Sequence, residues 1–83
     1  MKTVYVTTIH YTDPKLPTPV VVFEDSTMAW DYINTNMQNV PHKTNVKLTR
    51  INHIMKFEAV VSINYVLATA YIHSVEYVPA VGT

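Results

Sequence analysis

The sequence contains no cysteine, and its single glycine is Gly82. Without cysteine the chain forms neither disulfides nor thiolate metal sites. With one glycine it cannot build the phosphate-binding loops of nucleotide-binding proteins or the Gly-x-Ser-x-Gly turn of a hydrolase, because those loops need glycine for a strained turn or a close backbone approach. The sequence therefore predicts no catalytic residues and no cofactor, and we expect a protein that is not an enzyme.

Charge is also scarce. Of the 83 residues 14% are charged and 48% are hydrophobic, and the formal net charge is zero. This composition favours a folded chain over a disordered one, and zero net charge gives no general attraction to nucleic acid or anionic membranes. The longest uncharged run, residues 59–75, is too short and too polar to span a membrane. We expect one domain over residues 1–83, with no secretion signal and a cytoplasmic location.

The middle of the sequence predicts a short strand that leads directly into a helix. Residues 20–23 are apolar, and a stripe of Ala29, Ile33 and Met37 recurs at the four-residue spacing of a helix from about residue 27 to 37 or 38. Pro41 stops that helix. Three consecutive residues are suitable N-caps, since a side-chain oxygen there accepts an N–H of the first turn: Asp25, Ser26 and Thr27.

Most of the remaining sequence alternates as strands do. Residues 3–11, 57–63 and 65–77 are predicted strands, with a chain reversal near residues 62–64. The segment 46–56 fits neither period cleanly: its Thr, Val and Ile content favours a strand, but Leu48, Ile51 and Met55 would also form a helical stripe. The loop 12–19 has three prolines and is either a stiff linker or a recognition element in polyproline conformation.

These elements predict an α+β domain with the order β-β-α-β-β, in which one helix packs on one face of an antiparallel sheet of about four strands. One helix of about three turns covers only one side of a sheet. We expect the other side to display Tyr5, Ile9 and Tyr11 with alternate residues of the hairpin 57–77. Because an uncovered apolar face usually marks an interface, and a second copy covers it most simply, we expect a homodimer.

The histidines do not form a metal-binding pattern. No pair has the i, i+4 spacing of helical ligands or the i, i+2 spacing of strand ligands, and no cysteine accompanies them. The four are His10, His42, His53 and His73. We therefore expect no metal site.

Positive charge concentrates in one segment, residues 43–56, which has no acidic residue. Its four cations are Lys43, Lys47, Arg50 and Lys56. Lys47 and Arg50 would lie near one another in a helix or in a strand. The segment is compatible with a solvated face, with contacts to RNA or DNA phosphates, and with docking onto an acidic protein surface.

Six tyrosines are a further feature of the sequence. Tyrosine suits interfaces because its ring buries area while its hydroxyl stays hydrogen-bonded, although ordinary sheet packing uses tyrosine as well. Tyr5 and Tyr11 share a strand face. Tyr65, Tyr71 and Tyr77 share another if residues 65–77 form one regular strand.

The layout of the chain resembles that of a group of phage proteins. A lead strand, the run Val-Val-Phe-Glu-Asp-Ser-Thr-Met-Ala-Trp-Asp-Tyr-Ile and a closing Tyr-Ile-His-Ser-Val-Glu-Tyr-Val resemble the small uncharacterised early or accessory proteins of large tailed bacteriophages. The resemblance implies a protein that binds a host protein, such as a toxin or defence factor, and inhibits or redirects it. It assigns a role to no residue.

The sequence thus predicts a non-enzymatic protein-binding module. The second alternative is a small RNA-binding protein that uses the basic segment 43–56, and the third is an enzyme or small-ligand sensor with a pocket between sheet and helix. The residues predicted to contact a partner are Tyr5, Tyr11, Lys47, Arg50 and Lys56.

Overall fold

The computed structural model describes residues 2–77, which form five strands and one helix. Every pair of neighbouring strands is antiparallel, and the strand order across the sheet is β2-β1-β5-β4-β3. The elements are β1 (Lys2–Tyr11), β2 (Val20–Phe23), α1 (Ser26–Gln38), β3 (Asn45–Ile51), β4 (Ile54–Ser62) and β5 (Tyr65–Tyr77). The α+β class with one helix on an antiparallel sheet is confirmed.

The sheet has five strands instead of about four because the segment of ambiguous period, residues 46–56, contains most of one strand and the start of the next. Ile51 pairs with Ile54, so Asn52 and His53 form a two-residue turn between β3 and β4. Asn52 has a positive φ of 53°, a conformation that Asn tolerates better than most residues other than glycine. This turn interrupts the strand alternation in the middle of residues 46–56 and explains why neither period fits that segment.

Helix α1 begins and ends where its capping residues allow. Asp25 is the N-cap: it has an extended backbone, and its Oδ1 accepts hydrogen bonds from the backbone N–H groups of Thr27 at 2.7 Å and Met28 at 3.4 Å. The helix ends at Gln38, three residues before Pro41. Among residues 2–77, no helix has the length and apolar character needed to cross a bilayer.

The core lies between α1 and one face of the sheet. The predicted helical stripe is fully buried and packs on β1, β2, β4 and β5. Under it, β4 and β5 present three alanines, whose small side chains let the helix approach the sheet. The buried cluster consists of Ile9, Ala29, Ile33, Met37, Val40, Phe57, Ala59, Ala68, Ala70 and Ile72.

The prediction that Tyr5, Ile9 and Tyr11 lie on the uncovered side of the sheet is wrong. Ile9 is completely buried beneath the helix, and Tyr5 and Tyr11 pack against the same core. Both faces of β1 carry apolar residues, so the alternation alone did not identify the face that meets the helix. Thr7, also on the helix side and fully buried, satisfies its hydroxyl by donating to the carbonyl of Val21 at 2.7 Å.

Strand β5 is irregular near its start. Ala59 of β4 pairs with Ala68, but Val60 pairs with Val66, so Leu67 is an extra residue in the ladder. The irregularity separates two tyrosines that a regular strand would place on one face. Tyr65 lines a cavity with Tyr11 on the helix side, whereas the ring of Tyr71 lies against that of His10 on the opposite side. The condition for a shared face, one regular strand over residues 65–77, is therefore not met for Tyr65 and Tyr71.

Candidate protein-binding surface

The face of the sheet opposite α1, which we call the open face, is not covered by any other element of residues 2–77. All five strands contribute alternate residues to it, and the strand register aligns these residues in rows that run across the sheet. The chemistry of each row can therefore be read directly from the pairing of the strands.

One row is apolar over nearly the full width of the sheet. It runs through Val22, Val6, His73, Ile54 and Ile51, each paired with the next through the antiparallel ladder. We call these five residues the apolar row. At its two ends Val22 is 56% exposed and Ile51 is 60% exposed. His73, half-buried, is the only residue in the row with a polar side chain.

The neighbouring positions extend this apolar surface. Val4 pairs with Val75 on one side of the row, and Val20 lies at the edge of the sheet on the other side. Val20 and Val75 are both exposed. Together with the apolar row they make a continuous apolar area on β1, β2 and β5 that reaches the edge strand β3 through Ile54 and Ile51.

An aromatic group occupies the centre of the open face. Tyr71 pairs with Thr8 on one side and Lys56 on the other. Its ring centroid is 6.0 Å from that of His10, edge to face, and 5.8 Å from that of His73. A tyrosine with neighbouring aromatic rings is a typical feature of protein interfaces, since it offers a large rigid contact area and a hydroxyl group.

The open face becomes polar towards one corner, on β3 and β4. Glu58 pairs with Lys47, and the Nζ of Lys56 lies 4.0 Å from Glu58 Oε2. Two cations thus flank one anion, and this corner has a formal charge of +1. The open face therefore combines an apolar area with a charged margin, which is the usual arrangement of a protein–protein interface.

The structure divides the five predicted partner-binding residues between the two sides of the sheet. Lys47 and Lys56 lie on the open face, and Tyr5, Tyr11 and Arg50 lie on the helix side. The expectation that Lys47 and Arg50 lie together is wrong, because residues three apart in a strand project from opposite faces. The Nη2 of Arg50 instead approaches the Sδ of Met55 at 3.9 Å. That these five residues contact a partner stays a prediction.

Sequence reasoning missed most of the open face. None of its apolar residues was predicted as a site, although their alternation is visible in β1 and β5 once the helix-covered face is known. The pairing of Val6 with both Val22 and His73 would have identified these residues. That pairing depends on contacts between distant parts of the chain, which the sequence pattern does not reveal.

The described residues show no concentration of metal ligands. Within residues 2–77, no three His, Cys, Asp or Glu side chains form a group suited to a metal ion. His10 and His73 lie on the open face on either side of Tyr71, and His53 lies in the turn between β3 and β4.

No protein-family model matches this sequence, and neither does any curated protein or solved structure.

Proposed function

We propose that this protein is a non-enzymatic protein-binding module that forms a homodimer by packing the open faces of two copies together. The observation that supports this most is the apolar row, which brings Val22, Val6, Ile54 and Ile51 into one line across the sheet. Exposed apolar areas of this kind on a folded domain favour association, since burying them removes apolar surface from water.

The dimensions of the open face suit a dimer. Two of its rows cross all five strands, one crosses four strands and one crosses two, and positions about 4.8 Å by 6.8 Å apart then give about 520 Å2 in each copy. Two copies would bury about 1,000 Å2 in total, which is near the lower limit for a specific protein interface. A second copy has the same apolar row and so can cover it without any other partner.

The charged corner fits the margin of such an interface. Lys47 is exposed, and Lys56 and Glu58 already form a pair within one chain. Ion pairs at an interface margin contribute little to affinity, but they restrict the orientation in which two faces approach. We expect the dimer to be held by the apolar area and oriented by this corner.

The oligomeric state tests the proposal. Size-exclusion chromatography with light scattering should give a mass twice the 9.5 kDa of one chain. A mass of one chain at concentrations of hundreds of micromolar would contradict the proposal. Because the method measures mass directly, an elongated monomer is not mistaken for a dimer.

The resemblance to phage accessory proteins adds a second partner to the proposal, a host protein in the host cytoplasm that the module inhibits or redirects. A tagged protein should recover one bacterial protein from lysate after nuclease treatment. Recovery that depends on intact RNA would instead favour the RNA-binding alternative. That alternative relied on a shared basic patch, and Lys47 and Arg50 lie on opposite sides of β3.

A further inference from the structure

The outer edge of β3 is a second surface, separate from the open face. Within the described sheet β3 pairs only with β4, so half of its backbone N–H and C=O groups point away from the sheet. Six of its seven residues are exposed, and it contains neither proline nor an irregularity in its pairing. The opposite edge strand, β2, has four residues and follows Pro19, so it offers a much shorter edge.

An apolar groove runs beside this edge on the helix side. Leu48 is 49% exposed and pairs with Phe57, whose ring lies 6.3 Å from the ring of Trp30. The helix covers β4 and β5 and leaves Leu48 and Trp30 partly open. A cavity of about 340 Å3 continues the groove, and it is lined by Ser26, Thr27, Trp30, Arg50 and Met55.

The edge is positively charged on both sides. Lys47 projects on the open side and Arg50 on the helix side, and β3 has no acidic residue. Among the described residues ion pairs join Lys2 to Glu24 and Lys56 to Glu58, and neither Lys47 nor Arg50 forms one, although Lys47 stands opposite Glu58 in the strand ladder. A strand added to this edge would meet one cation on each of its faces.

We propose that the edge of β3 binds an extended acidic segment of a partner protein, which adds to the sheet as a sixth strand. Backbone hydrogen bonds would supply part of the affinity, and alternate side chains would supply specificity. On the helix side the segment carries apolar residues over Val46 and Leu48 and a carboxylate towards Arg50. On the open side it carries a carboxylate towards Lys47.

An acidic partner fits this edge better than a second copy of β3. Two copies paired edge to edge would bring two Lys47 and two Arg50 side chains into one ribbon without an acidic residue on either strand. Like charges on neighbouring strands are destabilising, whereas opposite charges stabilise the pair. Lysine on an exposed edge is also a common protection against self-pairing.

A palindromic peptide, acetyl-Glu-Thr-Val-Glu-Val-Thr-Glu-amide, tests the proposal. The peptide reads the same in both directions, so its side chains meet the same residues of β3 whether it binds parallel or antiparallel. Its central Glu pairs with Lys47, its two valines with Val46 and Leu48, and one terminal Glu with Arg50. Added to isotope-labelled protein, it should shift the NMR signals of the β3 amides and of the Trp30 indole. No shift at millimolar peptide, or shifts confined to other strands, would overturn the proposal.

Two N-methylated versions of the peptide separate strand addition from simple charge attraction. One carries N-methyl groups on its odd-numbered residues and the other on its even-numbered residues, so only one version blocks the hydrogen bonds towards β3. Strand addition predicts that one version loses binding and the other retains it. The proposal would be overturned if the two N-methylated peptides bound equally well. It would also be overturned if a single-stranded RNA oligomer bound more tightly than the unmodified peptide and shifted the same NMR signals.

Charge variants test the chemistry of the partner. Lys47→Gln and Arg50→Gln should each weaken peptide binding roughly two- to fivefold, the range for exposed ion pairs, and Lys15→Gln in the distant loop 12–19 should leave it unchanged. A peptide with lysine in place of glutamate should not bind. Equal binding of the two peptides would overturn the charge assignment. The outward backbone groups of β3 and the Arg50 side chain lie outside the open face, so peptide binding by a protein that proves monomeric would support this proposal and contradict only the proposed dimer.

Discussion

The substitution Val22→Lys examines the proposed dimer without disturbing the fold of one chain. Val22 lies at the end of the apolar row on β2, and its side chain is 56% exposed in the single chain. Lysine there can extend into solvent when the protein is monomeric, so the free energy of folding should change little. In the dimer the same position meets the second copy.

The magnitude follows from the apolar area that the dimer buries. Full burial of a valine side chain contributes about 1.5–3 kcal/mol, and somewhat more than half of Val22 remains to be buried. Each copy therefore loses about 1–1.5 kcal/mol, and a symmetric dimer loses about 2–3 kcal/mol because the substitution occurs twice. Since 1.4 kcal/mol is a factor of ten, the dimer dissociation constant should rise about 30- to 150-fold.

The matched control is Met28→Lys on the outer surface of α1. Met28 is 59% exposed, so both substitutions place lysine at an equally exposed apolar position. Sedimentation equilibrium of the wild type and both variants measures the dissociation constants. The reasoning is refuted if Val22→Lys and Met28→Lys have the same effect, or if Met28→Lys alone dissociates the dimer.

Three further substitutions test the cap, the core and the interface. Asp25→Ala removes the N-cap of α1 and should lower the free energy of unfolding in urea by about 1 kcal/mol, whereas Asp31→Ala, on the exposed side of the helix, should not. Thr7→Val removes the donor to the Val21 carbonyl and should cost about 1 kcal/mol in the same assay, and an unchanged stability would argue against that hydrogen bond. His73→Leu completes the apolar row and should tighten the dimer roughly tenfold in sedimentation equilibrium; a weaker dimer would mean that the imidazole makes a favourable polar contact in the interface.

The helix and its position in the chain could be predicted because local signals agree there. The candidate caps at residues 25–27, the four-residue spacing of Ala29, Ile33 and Met37, and Pro41 all point to one helix, and the structure has it at Ser26–Gln38. Strands β1 and β5 were predictable in the same way from their strand-like patterns, and β2 from a short apolar run rich in valine. In each case residues close in sequence carry the information.

The faces of the sheet could not be predicted, because they depend on contacts between distant residues. Tyr5 and Ile9 are as compatible with an exposed face as Val4 and Val6 until the helix is placed over one of them. The open face depends further on strand register, and a one-residue shift such as that at Leu67 moves every later side chain to the other face. Sequence reasoning therefore placed Tyr5 and Tyr11 at the proposed interface and missed the valines.

The scarcity of glycine made the turns hard to locate. Among the described residues positive φ occurs at Asn52 and His42, two residue types that adopt it more often than most others but that also occur at many other positions of the chain. The two-residue turn at Asn52 and His53 also determines that Ile51 and Ile54 pair, so it decides which residues end the apolar row. A segment of ambiguous pattern thus contributes two residues to the apolar row.

The most direct test of the proposed dimer is an isotope-filtered NOE experiment on a mixture of labelled and unlabelled protein. It detects only contacts between different copies, and the methyl groups of Val6, Val22, Ile51 and Ile54 provide probes along the whole apolar row. Packing of the open faces predicts NOEs between copies from these methyl groups and none from Met28 on the helix surface. A dimer whose intermolecular NOEs come from Met28, with none from the apolar row, would contradict it.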